Sequence, residues 1–322
     1  METIKITDIQ GVRFGNAQNL AAATGCTVII CPAGATAGVD VRGGAPGTRE
    51  TDLLKPENLV EKIHAVMLAG GSAFGLDAAG GVMQYLEENE IGFDVGVAKV
   101  PIVAGAVLFD LPCGDARVRP DRTMGYRACA ATAAEEFSVG SVGAGTGATV
   151  GKAFGMEHAM KGGLGAHCVR IGNLIVGAVV AVNCLGDVVD PANGQILAGA
   201  YELDPFRFMD SEAGLLQQCE GSGSQFTGNT TIGVVLTNAV LTKAQATKVA
   251  SMTHDGYART MRPAHTMLDG DTIFALSVGE VQADISAVGA LAAQVMAQAV
   301  LGAVREASPL AGFKTMRDWQ EK

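Results

Sequence analysis

Two adjacent threonines, Thr230 and Thr231, stand where a polar stretch gives way to an apolar run in FTGNTTIGVVLTNAVL, residues 226 to 241. A threonine hydroxyl in this position can cap loose backbone groups at the start of a strand, as Ser, Thr and Asn commonly do. It can also act as a nucleophile if a base removes its proton. The residues of this segment alone leave both interpretations open.

A pair of carboxylates, Asp269 and Asp271, precedes a second apolar run in AHTMLDGDTIFALSVG, residues 264 to 279. Residues two apart in an extended backbone point to the same face. Two neighbouring carboxylates beside an apolar run can orient and tune a nucleophile and its base. A β-turn around Asp-Gly is the competing interpretation.

The glycine-rich segment GSVGAGTGATVGKAFG, residues 140 to 155, is similar to a phosphate-binding loop, in which backbone N–H groups surround an anion. Its details differ, because Ala153 follows Lys152 where such a loop has Ser or Thr, and Thr146 occupies the place of the opening glycine. We therefore do not expect nucleotide binding. A lysine among closely packed glycines is costly unless its charge is paired or used.

The segment LAGGSAFGLDAA, residues 68 to 79, is similar to the nucleophile elbow of serine hydrolases. That motif needs glycine two residues after the serine, and Phe74 occupies this position after Ser72. A helix start capped by Ser72 is the favoured interpretation.

Composition indicates a closely packed protein and disfavours nucleic acid as a partner. The 322 residues are 48% hydrophobic and 17% charged and include 43 glycines. The formal net charge is −10 and the sequence pI is about 5.0, so the chain repels phosphate backbones and anionic lipid surfaces.

The cysteines and histidines give no metal-binding pattern. The seven cysteines are scattered through apolar or small-residue surroundings, which is typical of reduced core residues. No C-x-x-C pair occurs, and the five histidines are spread singly, so we expect no metal and no cofactor.

The chain start, METIKITDIQGV, lacks the basic region and apolar segment of a secretion signal. No apolar run approaches the roughly 20 residues needed to cross a bilayer. The sequence therefore predicts a cytoplasmic protein without a membrane partner.

The order of elements predicts an α+β fold with helices outside a pair of sheets rather than regular β-α-β alternation. A polar surface loop is predicted at residues 210 to 229, directly before Thr230. Strands are predicted at 24 to 34, 99 to 111, 168 to 189 and 231 to 241. Helices are predicted at 55 to 71, 72 to 92, 121 to 137, 242 to 260 and 283 to 306.

Six segments together resemble the L-aminopeptidase/D-esterase (DmpA-like) family of self-processing peptidases, which also includes β-peptidyl aminopeptidases and nylon-oligomer endohydrolases. They span most of the chain in the family's order: RGGAPGTRETDLL (42 to 54), LAGGSAFGLDAA (68 to 79), VGAGTGATVGK (142 to 152), AVNCLGDV (181 to 188), NTTIGVVLTNA (229 to 239) and DGDT (269 to 272). A threonine with two aspartates and a lysine resembles the nylon-oligomer (6-aminohexanoate oligomer) branch most.

The resemblance implies an α/β/β/α sandwich of the N-terminal-nucleophile type, made as one domain over residues 1 to 322. It also implies that the chain cuts itself between Asn229 and Thr230, giving a large subunit, 1 to 229, and a small subunit, 230 to 322. Thr230 would then be the nucleophile, and its own free α-amine the base. This arrangement needs no histidine.

The remaining site residues are also carried over from the resemblance. Asp269 and Asp271 match the paired carboxylates that hold the hydroxyl and the ammonium form. Lys152 and Asn183 match the groups that stabilise the developing oxyanion.

The resemblance implies a small peptide or linear oligoamide as substrate and assembly into a tetramer or larger homo-oligomer. Which amide is cut stays open. Two alternatives also stay open: an acyltransferase of the ornithine acetyltransferase type, and a non-catalytic binding protein on the same scaffold.

Overall fold

The computed structural model describes residues 1–133, 136–217 and 228–320. Its strands are β1 (Glu2–Ile4), β2 (Arg13–Asn19), β3 (Thr24–Val41), β4 (Thr48–Arg49), β5 (Lys62–Ala69), β6 (Phe93–Asp94), β7 (Lys99–Val100), β8 (Val103–Val107), β9 (Thr149–Val150), β10 (Met160–Lys161), β11 (Gly163–Ile171), β12 (Leu174–Val182), β13 (Asp187–Val189), β14 (Ile196–Ala198), β15 (Tyr201–Leu203), β16 (Phe206–Phe208), β17 (Ile232–Ala239), β18 (Met261–Arg262) and β19 (Thr272–Val281). Its α-helices are α1 (Ala78–Glu88), α2 (Arg122–Ala130), α3 (Ser211–Gln217), α4 (Lys243–Thr260), α5 (Ile285–Arg305) and α6 (Arg317–Gln320). Short 3-10 helices cover Ile6–Asp8, Asp52–Leu54, Ser72–Asp77, Leu111–Cys113, Ala131–Ala133, Gly143–Gly145 and Met156–His158.

The long strand β3 joins two halves of one hydrogen-bonded ladder, whose order is β1-β11-β12-β17-β19-β3-β5-β8-β4, with β2 also paired to β3. The first part of β3 pairs with β2 and β5, and its last part pairs with β19. Between them lies CPAG, where Pro32 has no N–H to donate and Gly34 has a φ of +76°. The pairing of β3 with β5 shifts register there, between Ile30 and Ala35. The strand can therefore pass from one half of the ladder to the other.

Alternate residues of these strands enter different cores, as a period of two requires. On β17, Val234 and Leu236 lie in a core between the two halves, whereas Val235 lies in a core under α4 and α5. On β5, Val66 faces the same central core, and Met67 faces a third core under α1 and α2.

Three cores between four layers give an α/β/β/α sandwich, which confirms the α+β prediction. Helices α4 and α5 cover the half that contains β11, β12, β17 and β19, and α1 and α2 cover the half that contains β2, β5 and β8.

The helix predicted at 55 to 71 is wrong, because Lys62–Ala69 is the buried strand β5. A strand covered on both faces shows an almost continuous apolar run, which cannot be told from a buried helix by periodicity. The strand predicted at 168 to 189 is instead part of the hairpin β11–β12 followed by β13.

Two local predictions also need correction. Ser72 is the first residue of a 3-10 helix, and the N-cap position belongs to Gly71, without a side-chain cap. The predicted loop at 210 to 229 contains helix α3, and its residues 218 to 227 lie outside the described part of the chain.

The other predicted elements agree with the structure. Helices α1, α2, α4 and α5 lie within the predicted segments, and strands β8 and β17 lie within two predicted strands. The prediction of reduced core cysteines is confirmed for the six described ones, which are free and buried; Cys219 lies outside the described residues.

Helix α5 is long and apolar enough to cross a bilayer by length and composition alone, so the expectation of no such segment is wrong for this helix. Of its most apolar window, 72% is buried inside the protein. The packing of α5 against β11, β12 and α4 accounts for this apolar composition.

The topology predicts that a cut after Asn229 leaves both pieces joined in one fold. Strands β17 and β19 would belong to the small piece, yet they lie between β12 and β3 of the large piece. Separating the pieces would expose the central core, so we expect them to co-elute in size-exclusion chromatography and to part only in denaturant. Elution of a free small piece in native buffer would contradict this.

Candidate active site

The parallel pairing of β17 with β19 brings the two polar motifs together. Ile232 lies opposite Thr272, so the residues that precede each strand meet at one edge of the ladder. The N–H of Thr272 donates to the carbonyl of Thr231 at 3.1 Å. Thr230 and the Asp-Gly-Asp turn are therefore neighbours in space although forty residues separate Thr231 from Asp271 in the chain.

The peptide group that joins Asn229 to Thr230 is held from several sides. Thr230 Oγ1 donates to the carbonyl oxygen of Asn229, and the same oxygen accepts the N–H of Gly270 at 3.2 Å. The N–H of Thr230 donates to the carbonyl of Asn183 at 3.0 Å. A Cβ at position 270 would lie 2.6 Å from Thr230 Oγ1, so this close approach requires glycine. The hydroxyl thus lies beside the carbonyl group that self-cleavage would attack.

Asp271 anchors the residue after the candidate nucleophile. Its Oδ1 accepts the N–H of Thr231 at 2.9 Å. Its Oδ2 accepts the backbone N–H of His265 at 3.0 Å and lies 2.8 Å from His265 Nδ1. The carboxylate therefore fixes the start of β17 rather than contacting the Thr230 hydroxyl in a described hydrogen bond.

Asp269 is held in a similar way by Thr266, whose N–H and Oγ1 donate to Asp269 Oδ2 at 3.0 and 2.6 Å. The N–H of Leu185 donates to Oδ1 at 3.4 Å. Burial, reinforced by the charge of Asp271, raises the pKa of Asp269 to about 6. Asp269 is therefore a buried acid that titrates close to neutral pH.

Lys152 reaches the site through Asn183. Its Nζ donates to the backbone carbonyl and to Oδ1 of Asn183, at 3.0 and 2.9 Å. That backbone carbonyl is the group that also accepts the N–H of Thr230. Burial lowers the pKa of Lys152 to about 8. The side chain of Lys152 and the amide of Thr230 therefore donate to the same carbonyl oxygen, that of Asn183.

The side chain of Asn183 is fully engaged in this arrangement. Its Oδ1 also accepts the N–H of Thr149 at 3.0 Å, and its Nδ2 donates to the carbonyl of Phe109 at 3.1 Å. The structure thus gathers all five residues singled out as catalytic from the sequence, and each of them is buried: Thr230, Asp269, Asp271, Lys152 and Asn183.

A cleft of about 120 Å³ opens beside Thr230. Among the residues that the structure describes, its lining carries no charged side chain, and its apolar members include Pro46, Phe109 and Leu268. Ser72 also lines it and has a φ of +55°, the left-handed region that residues other than glycine rarely adopt. A larger cavity of about 310 Å³ lies elsewhere, beside β1 and β11, and contains none of the catalytic candidates.

Sequence reasoning missed His265, Thr266 and Gly270. His265 and Thr266 lie two residues before the Asp-Gly-Asp turn, and each donates to one of its carboxylates. The signal was the dipeptide His-Thr a few residues before two acids, but single histidines without a spacing partner gave no recognisable pattern.

The glycine-rich loop directs carbonyl oxygens inward, toward an amino group, whereas a phosphate-binding loop directs N–H groups toward an anion. Lys161 Nζ donates to the carbonyls of Gly145 and Ala148 at 2.8 Å each, and to that of Gly162 at 3.0 Å. Carbonyl oxygens of the loop therefore accept from the buried amino group of Lys161. Over residues 1–133, 136–217 and 228–320, no three His, Cys, Asp or Glu side chains gather at a potential metal site.

Comparisons with known proteins find relatives over nearly the whole chain. The sequence model of peptidase family S58 matches residues 5–317. An uncharacterized aminopeptidase of Mycobacterium tuberculosis (strain ATCC 25618 / H37Rv) is 44% identical over 97% of each chain. A 6-aminohexanoate-oligomer endohydrolase of Kocuria sp. (strain KY2) is 32% identical over 94% of this chain and 86% of its own.

Solved structures show the same fold. The L-aminopeptidase D-Ala-esterase/amidase of Ochrobactrum anthropi, described as a variant of the Ntn hydrolase fold, superimposes with a TM-score of 0.72 at 18% identity, covering 95% of this chain and 87% of its own. A β-aminopeptidase of Burkholderia sp. gives a TM-score of 0.68 at 21% identity over 97% and 90% of the two chains. The N-terminal-nucleophile fold expected from the sequence is therefore confirmed.

The shifted pKa values predict a bell-shaped pH dependence for self-cleavage. Asp269 is charged only above about pH 6, and Lys152 is charged only below about pH 8. Cleavage that depends on both of these charges should be fastest between these values and should fall on either side. In the uncut chain Thr230 has no free amine, so neither limb can be assigned to one.

Precursor refolded from denaturant into buffers from about pH 5 to about pH 9 would be followed on denaturing gels, with circular dichroism to separate refolding from cleavage. A cleavage rate that stays constant over this range would exclude titration of Asp269 and Lys152 from the reaction.

Proposed function

Because this chain belongs to peptidase family S58, we propose that it is a self-processing amidohydrolase whose nucleophile, Thr230, is exposed by cleavage after Asn229. The relatives named as aminopeptidases and as 6-aminohexanoate-oligomer endohydrolases are hydrolases of amide bonds. The substrate would be a small peptide or a linear oligoamide. The reaction would pass through an ester of Thr230.

The contact between Thr230 Oγ1 and the carbonyl group of Asn229 carries this proposal. Attack of Oγ1 on the carbonyl carbon would form an ester and break the bond to the nitrogen of Thr230, which takes up the hydroxyl proton. Water would then hydrolyse the ester, leaving the carboxylate of Asn229 and a free amine on Thr230. Cleavage thus creates a nucleophile and a base on the same residue.

The N–H of Gly270 is placed to assist the first step. It already donates to the carbonyl oxygen of Asn229 at 3.2 Å, and negative charge would develop on that oxygen during the attack. One such preorganised donor contributes about 3 kcal/mol in comparable oxyanion sites. A backbone donor on a turn fixed by Asp269 and Asp271 needs little reorganisation.

In the mature enzyme the free amine of Thr230 would take the proton from its own hydroxyl. The carbonyl of Asn183, which accepts the Thr230 N–H in the joined chain, would hold this amine. The ammonium of Lys152 shares that carbonyl, and a nearby positive charge favours the neutral amine, which is the basic form. Lys152 therefore supports the base as well as the oxyanion.

The oxyanion role of Asn183 requires a change of partner. Its Nδ2 donates to the carbonyl of Phe109 in the joined chain, and Phe109 also lines the cleft. When Asn229 departs, a substrate carbonyl in the cleft would compete with the carbonyl of Phe109 for this donor. Asn183 would therefore stabilise the oxyanion in substrate turnover, and Gly270 would stabilise it in self-cleavage.

The cleft favours an uncharged acyl group. Its described lining offers apolar surface and no charged side chain, so a substrate carboxylate or ammonium placed there would lose its hydration without a partner. The interior of a 6-aminohexanoate oligomer meets this requirement at the scissile end, because methylene groups adjoin its carbonyl. A short aliphatic peptide meets it only when its α-ammonium lies outside the cleft. Cytoplasmic location and homo-oligomeric assembly stay predictions.

Substitutions at Thr230 test the nucleophile. Thr230→Ala removes the attacking oxygen and should leave one uncut, inactive band on a denaturing gel. Thr230→Ser keeps a hydroxyl and should still be cut. Thr231→Val is the matched control, because it removes the neighbouring hydroxyl, whose described partner is only the sulfur of Met261, and it should be cut like the wild type.

Cutting of Thr230→Ala, or equal loss of cutting in Thr231→Val, would refute this assignment. Turnover is tested by incubating cut wild type with neutral aliphatic peptide amides, β-peptide amides and 6-aminohexanoate oligomers, with Thr230→Ala as the blank. We expect release of amine from at least one neutral class and little from acidic analogues. Cut protein that hydrolyses none of them would contradict the proposed activity.

A further inference from the structure

We propose that His265 is a positioning residue of the active site: its ring holds Asp271 in the orientation that anchors the Thr231 amide and hence Thr230. This inference rests on the proposed function, and it adds a residue to the five catalytic candidates predicted from the sequence.

The adjacent residues His265 and Thr266 each hydrogen-bond one of the two carboxylates, Asp271 and Asp269, in the same manner. The backbone N–H of His265 donates to Asp271 Oδ2, and Nδ1 of its ring lies 2.8 Å from the same oxygen. The backbone N–H and the hydroxyl of Thr266 donate to Asp269 Oδ2. Each residue thus gives two donors to one oxygen of one acid, which restricts rotation of both carboxylates.

His265 contacts only Oδ2 of Asp271, so Oδ1 can accept a hydrogen bond from the residue that precedes strand β17. Asp271 Oδ1 accepts the N–H of Thr231 at 2.9 Å, and Thr231 is covalently joined to Thr230. If Oδ2 lost its ring donor, the carboxylate could rotate and the Thr231 amide would lose a fixed acceptor. The position of Thr230 therefore depends on the ring of His265 through one carboxylate and one peptide unit.

The surroundings of His265 fit a donor better than a proton carrier. Since a carboxylate oxygen accepts from it, Nδ1 carries the proton. Its Nε2 is buried and has no hydrogen-bond partner among the described residues. The groups packed against this ring are Asp271, His254, whose ring centroid lies 4.8 Å away, and Tyr257, whose ring centroid lies 6.2 Å away.

His254 itself bonds through Nε2 to the carbonyl of Asp40, and burial lowers its pKa to about 4. The described contacts of the His265 ring therefore give it one hydrogen-bonding role, donation through Nδ1 to Asp271.

The backbone of His265 supports a specific role. Its φ of +60° lies in the left-handed region, which residues with a Cβ adopt only at a cost in free energy. Such strain persists where surrounding contacts impose it and clusters at functional sites. Here the two donations from one residue to Asp271 Oδ2 are the contacts that impose it.

Two substitutions separate positioning from simple packing. His265→Asn keeps an N–H donor close to the place of Nδ1 and tolerates the left-handed backbone. His265→Leu fills most of the ring's volume against His254 and Tyr257 but donates nothing. Positioning predicts that Asn keeps self-cleavage and kcat within about threefold, whereas Leu lowers both by about tenfold or more with little change in KM.

A packing role predicts the reverse order, because Leu preserves most contacts and Asn leaves a gap. His265→Gly separates the lost donor from backbone strain, because Gly tolerates the left-handed backbone but has no side-chain donor. Positioning predicts that Gly fails like Leu, whereas backbone strain alone predicts that Gly behaves like Asn. His167→Leu is the control, a half-buried histidine on β11 away from the site, and it should behave like the wild type. His265→Leu combined with Asp271→Asn should be no worse than Asp271→Asn alone, since both changes break one interaction.

A readout independent of activity uses the uncut Thr230→Ala chain. There, His265→Leu should reduce the protection of the Thr231 amide against hydrogen exchange, measured by NMR, and His265→Asn should preserve it. Wild-type cleavage in His265→Leu together with unchanged Thr231 protection would overturn the inference. A wild-type protein that neither cuts itself nor hydrolyses amides would instead refute the proposed function, and the exchange experiment would still decide the role of His265.

Discussion

The parallel pairing of β17 with β19 is the constraint on which the site depends. Parallel neighbours begin at the same edge, so the residues before Ile232 and before Thr272 must meet. Strand β12 runs antiparallel on the other side of β17, with Ala181 opposite Ile232, so its end delivers Asn183 to the same place. The segments before β17, before β19 and after β12 are distant in the chain, and the pairing of these strands brings them together around Thr230.

The site concentrates charge in a place without solvent, and this determines its chemistry. Lys152, Asp269 and Asp271 are each no more than 1% exposed. Isolated charges would be very costly there, so each is held by several hydrogen bonds. Burial moves the pKa of Asp269 up and that of Lys152 down. Both groups therefore titrate near the pH at which a cell works, which suits acid–base chemistry and the support of a developing charge.

Much of the site could be predicted from the sequence, because its residues lie in short motifs. Thr230 and the two aspartates precede apolar runs that are strands in the structure. Lys152 was conspicuous as a charge among glycines. The strand β5 was mistaken for a helix because burial on both faces removes the alternation that marks a strand.

The contacts within the site could not be predicted, because they depend on register and backbone conformation. His265 gave no pattern as a single histidine, and only its left-handed backbone places two donors on Asp271. The donor from Gly270 to Asn229 likewise arises from the turn between the two acids. The types of chemical group at the site could thus be predicted from the sequence. The hydrogen-bond partner of each group could be identified only from the folded structure.

N-terminal sequencing of the purified protein, combined with intact mass, tests the assignment of Thr230 most directly. We expect a small fragment that begins Thr-Thr-Ile-Gly and ends at Lys322, alongside a large fragment that ends at Asn229. A small fragment with any other first residue, or wild-type protein that remains a single uncut chain while it hydrolyses amides, would contradict the claim that Thr230 is the N-terminal nucleophile.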